Sequence, residues 1–365
     1  MIFTAERAAL LEAVTKAQRV VGAKTSMPIL EGILLSAEQG KVTLVAYNLE
    51  MGIKKEIYAH CEEAGDIVIN ARLLADILRR MNGLQVEISC DERLNCHIKC
   101  GEATFDIMGM AAIDFPEMPF LDNGDGIKVS GKIFSEMIKE TIFSVAQTEG
   151  SRPVLTGVYV TVENGVLQFV SIDGYRLAIR REKINETNNY SFIVPGKALT
   201  EVMRLIDEET EDVIINIGAR LISFDINGYK FISRLFEGEF VNYQKTIPAE
   251  HKQLIKVNTR ELISVIERVS LLINESFSTP VRCYFNEHCV VFTSATSVGR
   301  ATETFNIELE GEPFEIGLNS KYLLEALKAI QDEQVEILFN GAGSGVIIKQ
   351  IEGDDFKYMI MPMRI

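Results

Sequence analysis

The sequence predicts an α+β protein made of three tandem copies of one domain, and two observations carry that prediction. The first is a helix motif that recurs at a constant interval. Apolar residues at i, i+3, i+4 and i+7 begin at Leu74, Leu199 and Leu323, 125 and then 124 residues apart. The second is a proline ahead of an alternating strand, at Pro28, Pro153 and Pro280, spaced by 125 and 127. An interval of that length matches a whole small domain and is too long for a solenoid repeat.

Each copy opens with a helix-period stretch: Leu10, Val14, Ala17 and Val21 in the first, residues 133–145 in the second, 262–272 in the third. The proline and its alternating strands follow. A short apolar strand (67–69, 192–194, 314–318) then leads into the second helix. The core stripes of these helices are Leu74, Ile77, Leu78, Met81; Leu199, Val202, Met203, Ile206; and Leu323, Ala326, Leu327, Ile330. A further strand (86–89, 213–217, 335–339) leaves each helix. The copies divide the chain at 1–121, 122–249 and 250–365.

Composition narrows the class. At 365 residues the chain can bury several cores, and 47% hydrophobic with 24% charged residues is ordinary for a globular protein. No apolar run approaches the roughly 20 residues of a membrane span, and the opening reads as a helix pattern carrying Glu6 and Arg7, not as a signal peptide. The expectation is a cytoplasmic protein without membrane contact. Cys90, Cys96, His97 and Cys100 lack the paired C-x2-C spacing of a zinc knuckle, so no metal is expected there. Alternation points Cys96, Ile98 and Cys100 into a hairpin core.

A net charge of −15 opposes nucleic-acid binding until it is divided. The six helix stretches (5–21, 71–82, 131–146, 197–206, 259–272, 320–331) hold 14 basic and 9 acidic residues, or +5, which leaves −20 for the rest. In each second helix a basic pair lies opposite the core stripe: Arg72 with Arg79, Lys197 with Arg204, Lys321 with Lys328. One acid stands between each pair, at Asp76, Glu201 and Glu325. A solvated face of ion pairs would look the same in one helix; three net-positive copies in an acidic chain suggest a common surface for a polyanion.

With its three repeats and the C-terminal segment Met361-Pro362-Met363-Arg364-Ile365, the sequence resembles the bacterial sliding clamps, the beta subunits of the replicative DNA polymerase III. The resemblance spans the whole chain and is carried also by Asp173-Gly174-Tyr175-Arg176-Leu177, Arg152-Pro153-Val154-Leu155 and Asp114-Phe115-Pro116. It implies DNA-clamp domains and a head-to-tail homodimer, a closed ring with helices inside and sheets outside. Duplex DNA would be held topologically and without sequence preference, and no cofactor is implied. The implied protein partners are the polymerase alpha subunit, the clamp loader and other proteins bearing a clamp-binding motif.

The resemblance also assigns residues. Leu155, Ile172, Gly174, Tyr175, Arg176 and Leu177 match one wall of a partner-peptide pocket, and Met359, Met361, Pro362, Met363 and Arg364 match the other. Flexible, polarizable methionines suit a groove that accepts several peptides. Two pocket positions depart from the family: Val241 stands where proline is common, and Lys245 where arginine is common. The rim sequence Gly343-Ser344-Gly345 is richer in glycine. Lys24, Arg72, Arg79, Arg152, Lys197 and Arg204 match the DNA-facing surface, which Lys321 and Lys328 extend by the repeat. Phe105, Leu271 and Leu272 match subunit-interface positions.

Two other classes fit the sequence less well. For an enzyme, the four histidines (His60, His97, His251, His288) are scattered, and Gly341-Ala342-Gly343-Ser344-Gly345 lacks the Lys-Ser/Thr ending of a phosphate loop, so no catalytic residue is expected. An acidic scaffold binding only proteins would share the repeats and the pocket. It would have no reason to align basic residues on matching helices.

Overall fold

A computed structural model describes residues 1–22, 27–121, 126–147, 152–273 and 279–365. The first repeat runs β1 (Ile2–Glu6), α1 (Arg7–Gln18), β2 (Gly32–Glu38), β3 (Lys41–Tyr47), β4 (Met51–Glu63), β5 (Gly65–Asn70), α2 (Ala71–Arg80), β6 (Gln85–Cys90), β7 (Asn95–Cys100) and β8 (Ala103–Met108). The second repeats that order as β9 (Ile127–Ser130), α3 (Gly131–Lys139), β10 (Gly157–Glu163), β11 (Val166–Ile172), β12 (Arg176–Lys183), β13 (Tyr190–Pro195), α4 (Gly196–Leu205), β14 (Asp212–Ile217), β15 (Leu221–Ile226) and β16 (Tyr229–Arg234). The third has β17 (Gln253–Asn258), α5 (Thr259–Ser270), β18 (Val281–Phe285), β19 (Cys289–Ala295), β20 (Arg300–Asn306), an added two-residue β21 (Leu309–Glu310), β22 (Phe314–Leu318), α6 (Ser320–Ala329), β23 (Gln334–Phe339), β24 (Val346–Gln350) and β25 (Phe356–Ile360).

The short strand that opens each repeat has no counterpart in the sequence reading. β1 is only Ile-Phe-Thr-Ala-Glu and runs into α1 without a turn, so its alternation is absorbed into the helix pattern. Helix ends also differ. α1 stops at Gln18, and the last turn tightens to i−3 bonds (Val20 N to Ala17 O, 3.1 Å), which turns Val20 inward in place of Val21. The stretch predicted as helix over 131–146 ends at Lys139, because the Thr141 hydroxyl donates to the Met137 carbonyl at 2.7 Å and a short 3-10 turn, Ile142–Ser144, follows. In α4 the helix ends at Leu205, which is buried where Ile206 was expected.

The other stripe positions of α2 and α6 are buried as the periodicity requires. Among the described residues, three helices carry an asparagine N-cap: Asn70, Asn258 and Asn319 accept from Leu73, Glu261 and Lys321 amides at 3.0, 3.1 and 3.0 Å. Each is worth about 1 kcal/mol against alanine. Cys96, Ile98 and Cys100 sit in a β6–β7 hairpin core. Among the described residues no helix is long and apolar enough to cross a membrane.

Strand pairing is the repeat's strongest statement. The first halves pair as β5-β2-β3-β4, β13-β10-β11-β12 and β22-β18-β19-β20; the second as β8-β7-β6-β1, β16-β15-β14-β9 and β25-β24-β23-β17. Sheets then continue from one repeat into the next through β4 with β16 and β12 with β25. The backbone therefore groups into two units, Met1–Phe134 with Lys197–Leu235, and Ser135–Gly196 with Phe236–Ile365. In the first unit α1 packs on α2; in the second α5 packs on α6 over a core that includes Leu262, Ile266, Leu323 and Leu327.

Candidate functional site

The repeat builds one kind of helix face three times. Arg72, Arg79, Lys197, Arg204, Lys321 and Lys328 are all exposed. Asp76 pairs with Arg79 at 2.9 Å, and Glu201 pairs with Arg204, each within one turn. In α6 the pattern changes: Lys328 pairs with Glu267 of α5 at 2.6 Å, and Glu325 turns to Arg176. Arg152 is exposed beside its 3-10 turn, its carbonyl accepting from the Leu155 amide at 2.9 Å. Lys24 lies outside the described residues.

One exposed basic residue that the sequence did not single out lies beside Arg204. Arg19, just past α1, and Arg204 border one crevice with Lys16. Lys16 is largely covered: it pairs with Glu12 at 2.8 Å, holding that carboxyl below its usual range, and lies 4.6 Å over the Tyr229 ring. The signal for Arg19 was only its place at the basic end of a helix.

The second constellation lies within the second unit. Val170 and Ile172 of β11, Leu177 and Ile179 of β12, Ile347 of β24 and Met359 of β25 form one apolar cluster with Tyr243, covered in part by Leu155, Phe240, Val241 and Ile247. β12 and β25 are paired strands, Leu177 opposite Met359, so residues almost two hundred positions apart share a face. The structure thus brings together Leu155, Ile172, Leu177, Val241 and Met359. Phe240, Tyr243 and Ile347 were not foreseen; the two aromatics flanking Val241 and Asn242 were the available signal for the first two, and Ile347 had none. Tyr243 is anchored through its hydroxyl, which accepts from Gln168 Nε2 at 2.9 Å.

The turn at Gly174 borders this cluster. Gly174 has φ +94°, a conformation that side chains disfavour, and Tyr175 beside it is 64% exposed. The Met361 amide donates to the Tyr175 carbonyl at 2.8 Å, fixing the C-terminal segment along the turn. A Cβ on Gly345 would come within 2.8 Å of the Met359 sulfur and 3.4 Å of the Met361 sulfur, so this rim position must be small for both thioethers to lie there. Met363 is drawn to Gly317 of β22 by a 2.8 Å backbone bond, while Pro362 is half-buried and Arg364 exposed. Lys245 is exposed on the 3-10 turn Tyr243–Thr246. A cavity of about 250 Å³ continues past Ile247, Leu338 and Ile347 toward His251.

Arg176, matched to one pocket wall, is buried. Its side chain is 5% exposed and paired inward, Nε to Asp173 Oδ2 at 3.0 Å and a terminal nitrogen to Glu325. The physical reason is desolvation: a buried guanidinium demands carboxylates, and Asp173 and Glu325 supply them.

Phe105 is 39% exposed on β8 and Leu271 82% exposed at the end of α5, with Leu272 half-buried. β8 and β20 each end their sheet's strand order. Among the described residues no group of three or more His, Cys, Asp or Glu is placed to hold a metal. His97 pairs with Asp106 at 2.8 Å on the exposed hairpin, away from both constellations in the sequence.

Comparison with known proteins agrees over the full length. Models of the N-terminal, central and C-terminal domains of the DNA polymerase III beta subunit match residues 1–119, 128–242 and 244–364. The beta sliding clamp of Bacillus subtilis is 30% identical over 378 residues, covering 100% of both chains, and that of Staphylococcus epidermidis is 29% identical over 375 residues, covering 100% of this chain and 99% of the relative. Among solved structures, a putative DNA polymerase III beta subunit from Eubacterium rectale aligns with TM-score 0.95 at 30% identity over 100% of both chains. The Bacillus subtilis sliding clamp aligns with TM-score 0.96 at 29% identity, over 100% of this chain and 99% of that one.

Proposed function

The chain belongs to the family of DNA polymerase III beta subunits and works as a DNA sliding clamp, a non-catalytic subunit for polymerase processivity; from this we propose how its own residues close a ring, face the duplex and receive partners. Strand pairing carries the reading. The fourth strand of one repeat pairs with the last strand of the next, as β4 with β16 and β12 with β25, which leaves β20 of the third repeat and β8 of the first as edges. An edge strand is a template for another chain, and here the two edges are the two halves of the same junction. A second copy joined head to tail by β20 and β8, twice over, closes a six-domain ring. Phe105, Leu271 and Leu272 are exposed or half-buried apolar groups that such a joint covers.

Arg72, Arg79, Lys197, Arg204, Lys321 and Lys328, with Lys24 and Arg152, are the DNA-facing set in this reading, and Arg19 joins them. Loose, sequence-independent phosphate attraction suits a ring held by topology, since it lets the protein slide. The cluster around Leu155, Ile172, Leu177, Val241 and Met359, with Tyr175 and the segment Met361 to Arg364 beside it, is the pocket for polymerase and loader peptides. Lys245 stands at its edge. The three clamp domains are taken as 1–121, 122–249 and 250–365, and the site of action is the bacterial cytoplasm, where the chromosome is copied.

The test is retention. The protein, loaded on circular DNA, should stay bound through gel filtration at moderate salt and should be lost once the circle is cut. Equal loss from circular and linear DNA would end the ring reading. Light scattering at micromolar concentration should give a dimer.

A further inference from the structure

Two of the three charge stripes close on themselves, Asp76 on Arg79 and Glu201 on Arg204. α6 departs from the rule. Glu325 stands four residues after Lys321 and three before Lys328, within helical reach of both, yet its carboxylate goes to Arg176 on β12. The Arg176 guanidinium is built to stay there: it lies 4.3 Å over the Tyr322 ring and 5.6 Å from the Phe143 ring, with Asp173 on its other edge at 3.0 Å. A planar fork can engage two carboxylates at once, which a lysine cannot do in this geometry.

The other end of the linkage is the pocket turn. Asp173 Oδ1 accepts the Tyr175 and Arg176 amides at 2.8 and 3.0 Å, and the Tyr175 carbonyl accepts from Met361 at 2.8 Å. A continuous set of bonds therefore runs from Met361 through the Gly174 turn and Arg176 to Glu325.

We propose that Arg176 is a positioning residue that keeps Glu325 off the lysine face of α6, so that the charge offered to DNA depends on the turn beside the partner pocket. The proposal rests on the reading of both surfaces given above. Glu325 would then have two settings, on Arg176 or along its own helix, where it would add a carboxylate to a face on which Lys328 already holds Glu267 of α5 at 2.6 Å. A peptide that displaces Met361 or the turn biases the choice, and by linkage DNA then changes the affinity for that peptide by the same factor.

The experiment compares full-length wild type with Arg176→Gln, Glu325→Gln and the double variant in equilibrium binding to a labelled short duplex across a salt series. Arg176→Met, which keeps the packing on Tyr322 and Phe143, serves as a second variant should Arg176→Gln fail to fold. Loss of Arg176 should weaken DNA binding about threefold to tenfold and make the salt slope shallower by up to about 1. Glu325→Gln should stay within about twofold of wild type, and the double variant should return to it. A synthetic peptide with a glutamine and two bulky apolar residues should change duplex affinity in wild type and leave it unchanged in Glu325→Gln. An Arg176 that merely braces the fold gives a loss the double variant does not repair; that result, unchanged affinity in Arg176→Gln, or an equal peptide effect in both proteins overturns the proposal. Wild type that binds the peptide but no duplex overturns it too, and then the fault lies in reading α6 as a DNA surface.

Discussion

The outer faces of α2 and α4 and the cluster built on β12 and β25, proposed above as binding surfaces, are made in opposite ways. On the helices the basic residues are exposed, Arg79 and Arg204 each pair with an acid one turn away, and the core stripe is left untouched. In the pocket the walls are themselves core: Leu177 is 1% and Met359 3% exposed, and Tyr243 is buried with them. A surface of the first kind is tuned by charge without cost to folding, whereas one of the second kind cannot change without moving the fold.

The largest effect should come from forcing the pocket to behave like a helix face. Leu177→Glu buries a carboxylate against Ile172 and Met359, and should cost several kcal/mol of stability and abolish peptide binding in calorimetry. Removing residues 361–365 tests the same site more gently, since these residues cover rather than form the core. Peptide affinity should fall about thirtyfold or more, as anchors of about 2 kcal/mol each are lost, with the melting temperature little changed. Equal peptide affinity in the truncated chain would remove this site from the account.

Next in size is the proposed joint between copies. Leu271→Ala with Leu272→Ala removes apolar area worth roughly 1.5–3 kcal/mol per fully buried side chain, and light scattering should report folded monomers. A dimer that persists would move the joint away from the end of α5.

The helix faces should show the converse of Leu177. Arg72→Glu, Lys197→Glu and Lys321→Glu together should leave the melting temperature within a few degrees of wild type while DNA retention drops and its salt slope becomes shallower. Retention at the wild-type level would reduce the stripes to solvated ion pairs.

The smallest effect lies on the pocket strand itself. Arg180 of β12 holds Glu140 at 2.8 Å, yet burial outweighs that attraction and lifts the Glu140 carboxyl to about 7. A carboxyl raised in the folded state favours folding while protonated, so its contribution is full below pH ~4.5 and fades as the pH rises through about 7. Glu140→Gln, neutral throughout, should gain about 1–3 kcal/mol over wild type at pH 8 relative to pH 5. Parallel melting curves for the two proteins across that range would refute the assignment.

The same contrast explains what the sequence made legible. Helix stripes are local, repeated at i, i+3, i+4 and i+7, and need only one period to be seen; so do their basic pairs. The fold class and element order followed from that repetition. The opening strands escaped because β1 has five residues and no turn before its helix. The pocket is non-local: Leu155, Leu177, Val241 and Met359 meet only through the β12–β25 pairing, and they entered by resemblance instead of pattern. Pattern put Glu325 with its lysines, since nothing along the chain announces a buried arginine on a distant strand.

The strand junction that recurs from repeat to repeat has one further consequence. Within the chain, β4 meets β16 and β12 meets β25 with a covalent connection behind them, so each partner is always close at hand. Between copies, β20 and β8 would have the same hydrogen-bonding geometry and no such leash. Three junctions alike in chemistry would thus differ in molecularity, and only the one between molecules would loosen on dilution. Opening such a ring would need no weakened sequence to mark the place; the chain's own continuity would make every junction within a copy the more lasting one.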